Sequence, residues 1–147
     1  MEKDWVIAHT HVRGGGEKGV KWHLDGKLEN KPNSFYDFLA SVEFLVSEKI
    51  THPNLLVAKG VSAGGLLVGH CVNMKPEYFR AAVLKVPFLD PMILQDESIP
   101  LSVTDHLEFG NPKVKKFERL IKSYSPYENI QPAEYPSMLI EVSTDDP

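Results

Sequence analysis

The sequence predicts an α/β fold built on a parallel sheet, and the prediction depends on three observations. Short runs rich in β-branched apolar residues alternate with helix-like segments, which is the order of βαβ units. The run at residues 55–59 passes through a glycine-rich turn directly into an apolar helix. The length, 147 residues, suits one domain or a large piece of one.

Four parallel strands are expected, and their positions follow from the apolar runs. They lie near residues 5–12, 55–60, 81–86 and 137–142. Pro87 ends the third strand because proline has no N–H to donate to a sheet ladder. A long loop that contains several glycines follows the first strand.

Helices are expected between these strands. The first begins at Ser34, which could cap the helix in an S-x-x-D box with Asp37, and ends near Lys49. Another has Pro112 in its first turn, where a missing N–H costs nothing, whereas residues 88–111 are expected to be irregular. Apolar side chains at helical spacing support these two helices: Phe38, Leu39, Val42, Leu45, Val46, Val114, Phe117, Leu120 and Ile121.

The amino-acid composition argues against several classes of protein and of partner. The net charge is -4 and 42% of the residues are hydrophobic, which argues against a nucleic-acid partner and against disorder. No window approaches the roughly 18 apolar residues of a membrane span, so no membrane association is expected. The one cysteine, Cys71, cannot form an intrachain disulfide and fits a reducing, cytoplasmic setting.

The strongest local signal for chemistry is Gly60-x-Ser62-x-Gly64, the pattern of a nucleophile elbow. Small residues are expected two places before and after the serine because strand and helix backbones nearly touch there. The serine hydroxyl is then exposed above the sheet, and the N–H of Ala63 points to where an oxyanion would form. The alternative is that Ser62 only caps the buried helix expected over residues 66–72.

Two further patterns suggest ligands and are weaker. Gly14-x-Gly16-x-x-Gly19 matches a dinucleotide fingerprint, with Asp37 near the position of a ribose-binding acid, but the residues after Gly19 show no helical stripe. His9 and His11 share one face of the first expected strand and could begin a metal site, but no third ligand is evident. We expect neither a cofactor nor a metal.

The order of the candidate catalytic residues along the chain leaves the triad without a histidine. An α/β-hydrolase triad runs serine, acid, histidine along the chain. Asp145 and Asp146 follow the fourth expected strand, and local reasoning does not choose between them as the acid. All six histidines precede both aspartates, so the general base of this topology has no counterpart in the 147 residues.

Several sequence blocks resemble one peptidase family. They are His11-Val-Arg-Gly-Gly-Gly-Glu17, Trp22-His23, Asn33-Ser-Phe35 with Asp37, Gly60-Val-Ser-Ala-Gly-Gly65, Val86-Pro-Phe88 with Asp90, Asp96-Glu-Ser-Ile-Pro-Leu101, Phe109-Gly-Asn-Pro112 and Tyr124-Ser-Pro-Tyr127 with Asn129. Together they resemble the catalytic domain of the prolyl oligopeptidase family, closest to its oligopeptidase B branch. The resemblance runs the whole length of the chain.

The resemblance implies a fold, an activity and a set of site residues. It implies a partial α/β-hydrolase fold, with residues 1–147 as the central part of the catalytic domain and with the β-propeller and the histidine segment absent. It implies a cytoplasmic serine peptidase that cleaves short peptides. Ser62 matches the nucleophile, Ala63 the backbone oxyanion donor and Asp146, in preference to Asp145, the triad acid.

The resemblance also bears on substrate choice. Oligopeptidase B binds basic side chains through two acids, of which the first matches Asp105 and the second matches Leu107. Asp105, helped by Glu108, could hold one Arg or Lys, or both acids could be solvated loop residues. Two functions remain open: a serine oligopeptidase that acts through an acyl-enzyme, and a catalytically inactive hydrolase-like fragment or binding protein.

Overall fold

A three-stranded parallel sheet forms the centre of the structure, a computed structural model that describes residues 4–144. The strands are β1 (Val57–Val61), β2 (Ala81–Lys85) and β3 (Ser137–Glu141), and they lie side by side in chain order. Both pairings are parallel, so the carboxyl ends of all three strands lie at one edge. Three of the four expected strands are therefore confirmed.

Five helices are present in the described residues. They are α1 (Val20–Leu24), α2 (Pro32–Ser47), α3 (Ala63–Met74), α4 (Ser102–Phe109) and α5 (Lys115–Tyr124). Short 3-10 turns lie at Leu28–Asn30, Pro53–Leu55, Pro76–Tyr78 and Pro91–Gln95. Helix α3 connects β1 to β2 and packs on both strands, and α2 packs on α3.

The core lies between the sheet and these two helices. Alternate residues of β1 and β2 point into it, including Ala58, Ala82 and Leu84, which is the pattern of strands covered on one face. Helix α3 is apolar around most of its surface because it is buried on two sides. The side chains of β3 are exposed, since none of the helices described covers that strand.

The expected first strand is wrong. Residues 4–12 form neither strand nor helix, and Trp5 and Ile7 are each 73% exposed. An apolar run becomes a strand only when another strand supplies the ladder hydrogen bonds, and within residues 4–144 none lies beside this run.

Helix boundaries also differ from expectation. Helix α2 begins at Pro32, so Ser34 lies inside its first turn and donates to the carbonyl oxygen of Arg13 instead of capping the helix. Helix α5 begins at Lys115, after Pro112. The stretch 88–111 is not irregular, because it contains the turn Pro91–Gln95 and α4.

Candidate active site

Ser62 occupies a sharp turn between β1 and α3 at the carboxyl edge of the sheet. Its backbone has φ 52° and ψ -119°, a conformation that non-glycine residues rarely adopt. The residue is exposed, and its side chain makes no capping hydrogen bond to α3. The geometry therefore matches a nucleophile elbow and not a serine whose hydroxyl caps a helix.

Close backbone packing explains only part of the glycine pattern. A Cβ at Gly60 would collide with the carbonyl oxygen of Gly64, as expected. A Cβ at Gly64 would meet nothing within 4 Å among the described residues, so the expected clash there is wrong. The second position that needs a glycine is Gly65, which lies against Pro87. In the sequence, the adjacent glycines at positions 64 and 65 were the only indication that position 65 needs a glycine.

Ala63 provides a free donor beside the serine. It is the first residue of α3, and within residues 4–144 no acceptor bonds its N–H. The first N–H groups of a helix lack partners inside the helix, and they carry the positive end of its dipole. The Ala63 N–H is therefore available as a donor beside Ser62, and its role toward an oxyanion stays a prediction.

The two residues predicted as the triad acid, Asp146 and the alternative Asp145, lie outside the described residues, which end at residue 144. The direction in which the chain runs toward these aspartates follows from the sheet register. Val61, Lys85 and Glu141 lie in register across the sheet, so the chain leaves β3 at the same edge that holds Ser62.

No histidine in the described residues is hydrogen bonded to Ser62. His106 Nε2 lies 2.8 Å from the Leu94 carbonyl oxygen, and His23 Nδ1 lies 2.8 Å from that of Gly14. His70 is buried in α3, its Nδ1 has no hydrogen-bond partner within residues 4–144, and burial lowers its pKa to about 4. His9 and His11 are exposed on the 4–12 segment.

Asp105 and Glu108 lie on α4 and differ in their partners. The Glu108 carboxylate accepts a hydrogen bond from Lys31 Nζ at 2.7 Å in a pair that is mostly shielded from solvent. Asp105 has no ion pair or hydrogen bond to its carboxylate within residues 4–144. Partial burial and the nearby Glu108 charge raise the pKa of Asp105. Leu107 is exposed on the same helix.

The remaining sequence patterns have structural partners. Arg13 donates through Nε and Nη2 to the two carboxylate oxygens of Asp37, at 2.9 and 2.7 Å, which holds the pKa of Asp37 below its usual value. Helix α1 does begin after Gly19, contrary to expectation, but it has five residues and no strand precedes it in the described chain. Asp37 is thus engaged by Arg13 and is not free to bind a ribose.

His11 faces Glu17 at 3.4 Å, and no group of three or more potential metal ligands lies together in residues 4–144. The described helices are also too short or too polar to cross a membrane.

Comparisons with known proteins agree with this geometry. The model of the prolyl oligopeptidase family matches residues 1–147. The chain belongs to the prolyl oligopeptidase family. It is 43% identical over 148 aligned residues to Protease 2 of Moraxella lacunata, and 40% identical to the prolyl endopeptidase-like protein of Homo sapiens.

Solved structures share the fold. Oligopeptidase B from Leishmania major superimposes with a TM-score of 0.85 at 45% identity, over 88% of this chain and 18% of that one. Oligopeptidase B from Trypanosoma brucei with covalently bound antipain gives 0.86 at 46% identity, over 88% and 19%. The fold is thus an α/β-hydrolase fold, and the family is one of serine peptidases. The chain spans about a fifth of the length of the curated relatives, 100% of it matching 21% of Protease 2.

Proposed function

We propose that this chain carries the nucleophile of a serine oligopeptidase that cleaves short peptides through an acyl-enzyme. The observation that carries the proposal is the conformation of Ser62: an exposed serine at positive φ, between a parallel strand and a helix whose first N–H has no acceptor in the part of the chain that the structure describes. Membership of a serine peptidase family supports it.

The proposed reaction has two steps. Ser62 Oγ attacks the carbonyl carbon of the peptide bond and gives its proton to a histidine, while the Ala63 N–H stabilises the oxyanion. The C–N bond then breaks, and the leaving amine takes that proton. Water hydrolyses the resulting ester, which releases the acid and restores the serine.

The rest of the triad is assigned by the resemblance. Asp146, or Asp145 beside it, would orient the histidine, and the histidine would come from polypeptide outside residues 1–147. These residues would then be the central part of a catalytic domain. No metal or cofactor enters the proposed chemistry, and a cytoplasmic setting fits the single buried thiol of Cys71.

Asp105 is proposed to hold one Arg or Lys side chain of the substrate. The support is that its carboxylate has no partner in the described residues and that its pKa is raised, so a cation would restore its ordinary ionisation. Glu108 would contribute charge, although Lys31 already engages it.

The test is hydrolysis of short fluorogenic peptides by the complete polypeptide that contains these residues. Wild type is expected to cleave them, and Ser62→Ala is expected to reduce kcat at least about 10³-fold while leaving the thermal unfolding temperature unchanged. Cleavage unaffected by Ser62→Ala would show that Ser62 is not the nucleophile, and absence of cleavage by the wild type would favour an inactive hydrolase-like module or binding protein.

A further inference from the structure

The segment that leaves β2, residues 86–89, lies along α3 where two glycines one helical turn apart leave the helix surface bare. Pro87 covers Gly65: a Cβ at Gly65 would lie 2.7 Å from Pro87 Cα and closer still to Pro87 Cβ. Leu89 covers Gly69, where an added Cβ would lie 3.0 Å from Leu89 Cδ2. The backbone of the segment therefore fits against α3 only because Gly65 lacks a side chain, whereas at Gly69 an added Cβ would meet side-chain atoms alone.

The end of β2 and the segment that follows it are each hydrogen bonded to the backbone of Ser62. The Ser62 N–H donates to the carbonyl oxygen of Lys85 at 3.0 Å. The Phe88 N–H donates to the carbonyl oxygen of Ser62 at 3.1 Å. Lys85 is held in β2, and Pro87 directly precedes Phe88, so the position of Pro87 bears on where the Phe88 partner of Ser62 is held.

Two residues with positive φ lie where β1 and β2 end. Ser62 has φ 52°, and Val86, a β-branched residue, has φ 37°. Such conformations cost free energy and persist only when neighbouring contacts hold them. The contact of Pro87 with Gly65 and the two hydrogen bonds help to hold these strained residues. The Ser62 carbonyl oxygen also accepts hydrogen bonds from the Gly65 and Leu66 amides, and the Val86 N–H donates to the Glu141 carbonyl oxygen.

We propose that Pro87 is a positioning residue for the nucleophile: by packing against Gly65 it holds Ser62 in its strained conformation and so directs Oγ. The inference rests on the proposed role of Ser62. Pro87 need not touch the substrate, because it acts through the backbone of Ser62. A displacement of the nucleophile by about 1 Å can lower the rate by roughly 100-fold.

The experiment compares matched Gly→Ala substitutions on one helix face, in the complete polypeptide that contains residues 1–147. The measured quantity is the rate constant for labelling of Ser62 by a small fluorophosphonate, which needs little of the substrate pocket. Gly65→Ala displaces Pro87 and is expected to slow labelling at least about tenfold. Gly69→Ala is the control, because its Cβ would meet only side-chain atoms of Leu89 and Pro126 at 3.0 Å or more.

A second variant separates positioning from general damage. Pro87→Gly is expected to slow labelling by itself, yet to restore part of the rate when added to Gly65→Ala, because it removes Pro87 Cβ, the atom closest to the added methyl group, and leaves only the contact with Pro87 Cα. If Gly65→Ala does not fold, Pro87→Gly alone decides. Hydrogen exchange of the Phe88 amide gives an independent readout, and faster exchange is expected in Gly65→Ala but not in Gly69→Ala.

The outcomes distinguish this proposal from the function on which it rests. Labelling of Gly65→Ala at the Gly69→Ala rate, or unchanged exchange of the Phe88 amide, would overturn the role of Pro87 and leave Ser62 as the nucleophile. Absence of labelling in the wild type would reject the proposed function itself.

Discussion

The amide of Ser62, just after β1, donates a hydrogen bond of 3.0 Å to the carbonyl oxygen of Lys85, the last residue of β2. The amide of Val86, the residue that follows Lys85, donates a hydrogen bond of 2.7 Å to the carbonyl oxygen of Glu141, the last residue of β3. The ends of all three strands are thus bonded in sequence at one edge of the sheet. Ser62, the proposed nucleophile, and the chain leading to the proposed acid are therefore joined through these hydrogen bonds.

The two glycines of the elbow motif should respond differently to alanine. Gly60→Ala forces a Cβ into the backbone of α3 and is expected to lower the free energy of unfolding by about 1–3 kcal/mol or more. Gly64→Ala meets open space and should be neutral or raise it by up to about 1 kcal/mol, because alanine favours helix. Urea unfolding of both variants checks this, and equal losses would contradict the packing described.

His70 should make stability depend on pH. Its folded pKa of about 4 lies below the unfolded value of 6.5, so the unfolded chain takes up a proton first as pH falls. The contribution of neutral His70 is complete above pH 6.5 and is lost as pH falls toward 4, by on the order of 3 kcal/mol.

The variant His70→Gln removes this titration. Urea unfolding at pH 7 and pH 5 is expected to show a smaller loss of stability in the variant than in wild type. An identical loss in both proteins would mean that His70 is accessible to protons in the fold.

The Arg13–Asp37 pair should stabilise the glycine-rich loop against α2. Asp37→Asn is expected to lower the free energy of unfolding by about 1–2 kcal/mol, since a two-point, partly shielded contact is lost. Because the pKa of Asp37 is lowered, this contribution is present above pH 3.8 and lost as pH falls below it. Asp25→Asn is the control: its pairing with Lys21 is exposed and should change stability by less than about 0.5 kcal/mol.

Local signals predicted the elements that depend on local interactions. The strands β1, β2 and β3, the helix α3 and the elbow follow from apolar runs and the glycine–serine turn, and all were predicted. The run 5–12 failed because a strand needs a partner that its own sequence does not encode. Helix α4 was missed because Val103 and Leu107 face solvent, so it presents no apolar stripe toward the core.

The contacts between the site and distant segments of the chain also could not be predicted from local sequence patterns. That Gly65, and not Gly64, needs to lack a side chain depends on Pro87, which lies 22 residues away along the chain. Similarly, Glu108 was predicted as a substrate contact without its partner, because Lys31 belongs to another element. Contacts between distant segments carry no periodic signal in the sequence.

Asp105 should set a preference for basic side chains in the complete polypeptide. Asp105→Asn is expected to lower kcat/KM for cleavage after Arg by roughly 30-fold, or about 2 kcal/mol, because the substrate cation loses its partner. Cleavage after neutral residues should change little. Equal losses on both substrates would show that Asp105 is structural.

The central claim, that Ser62 is the nucleophile of a triad completed from outside residues 1–147, is tested most directly by mapping a fluorophosphonate label. The complete polypeptide should carry the label on Ser62 and lose it in Ser62→Ala. The 147 residues alone should not react, because within this chain no histidine stands after the acid. A label on another residue, or stoichiometric labelling of the isolated 147 residues that Ser62→Ala abolishes, would contradict the claim.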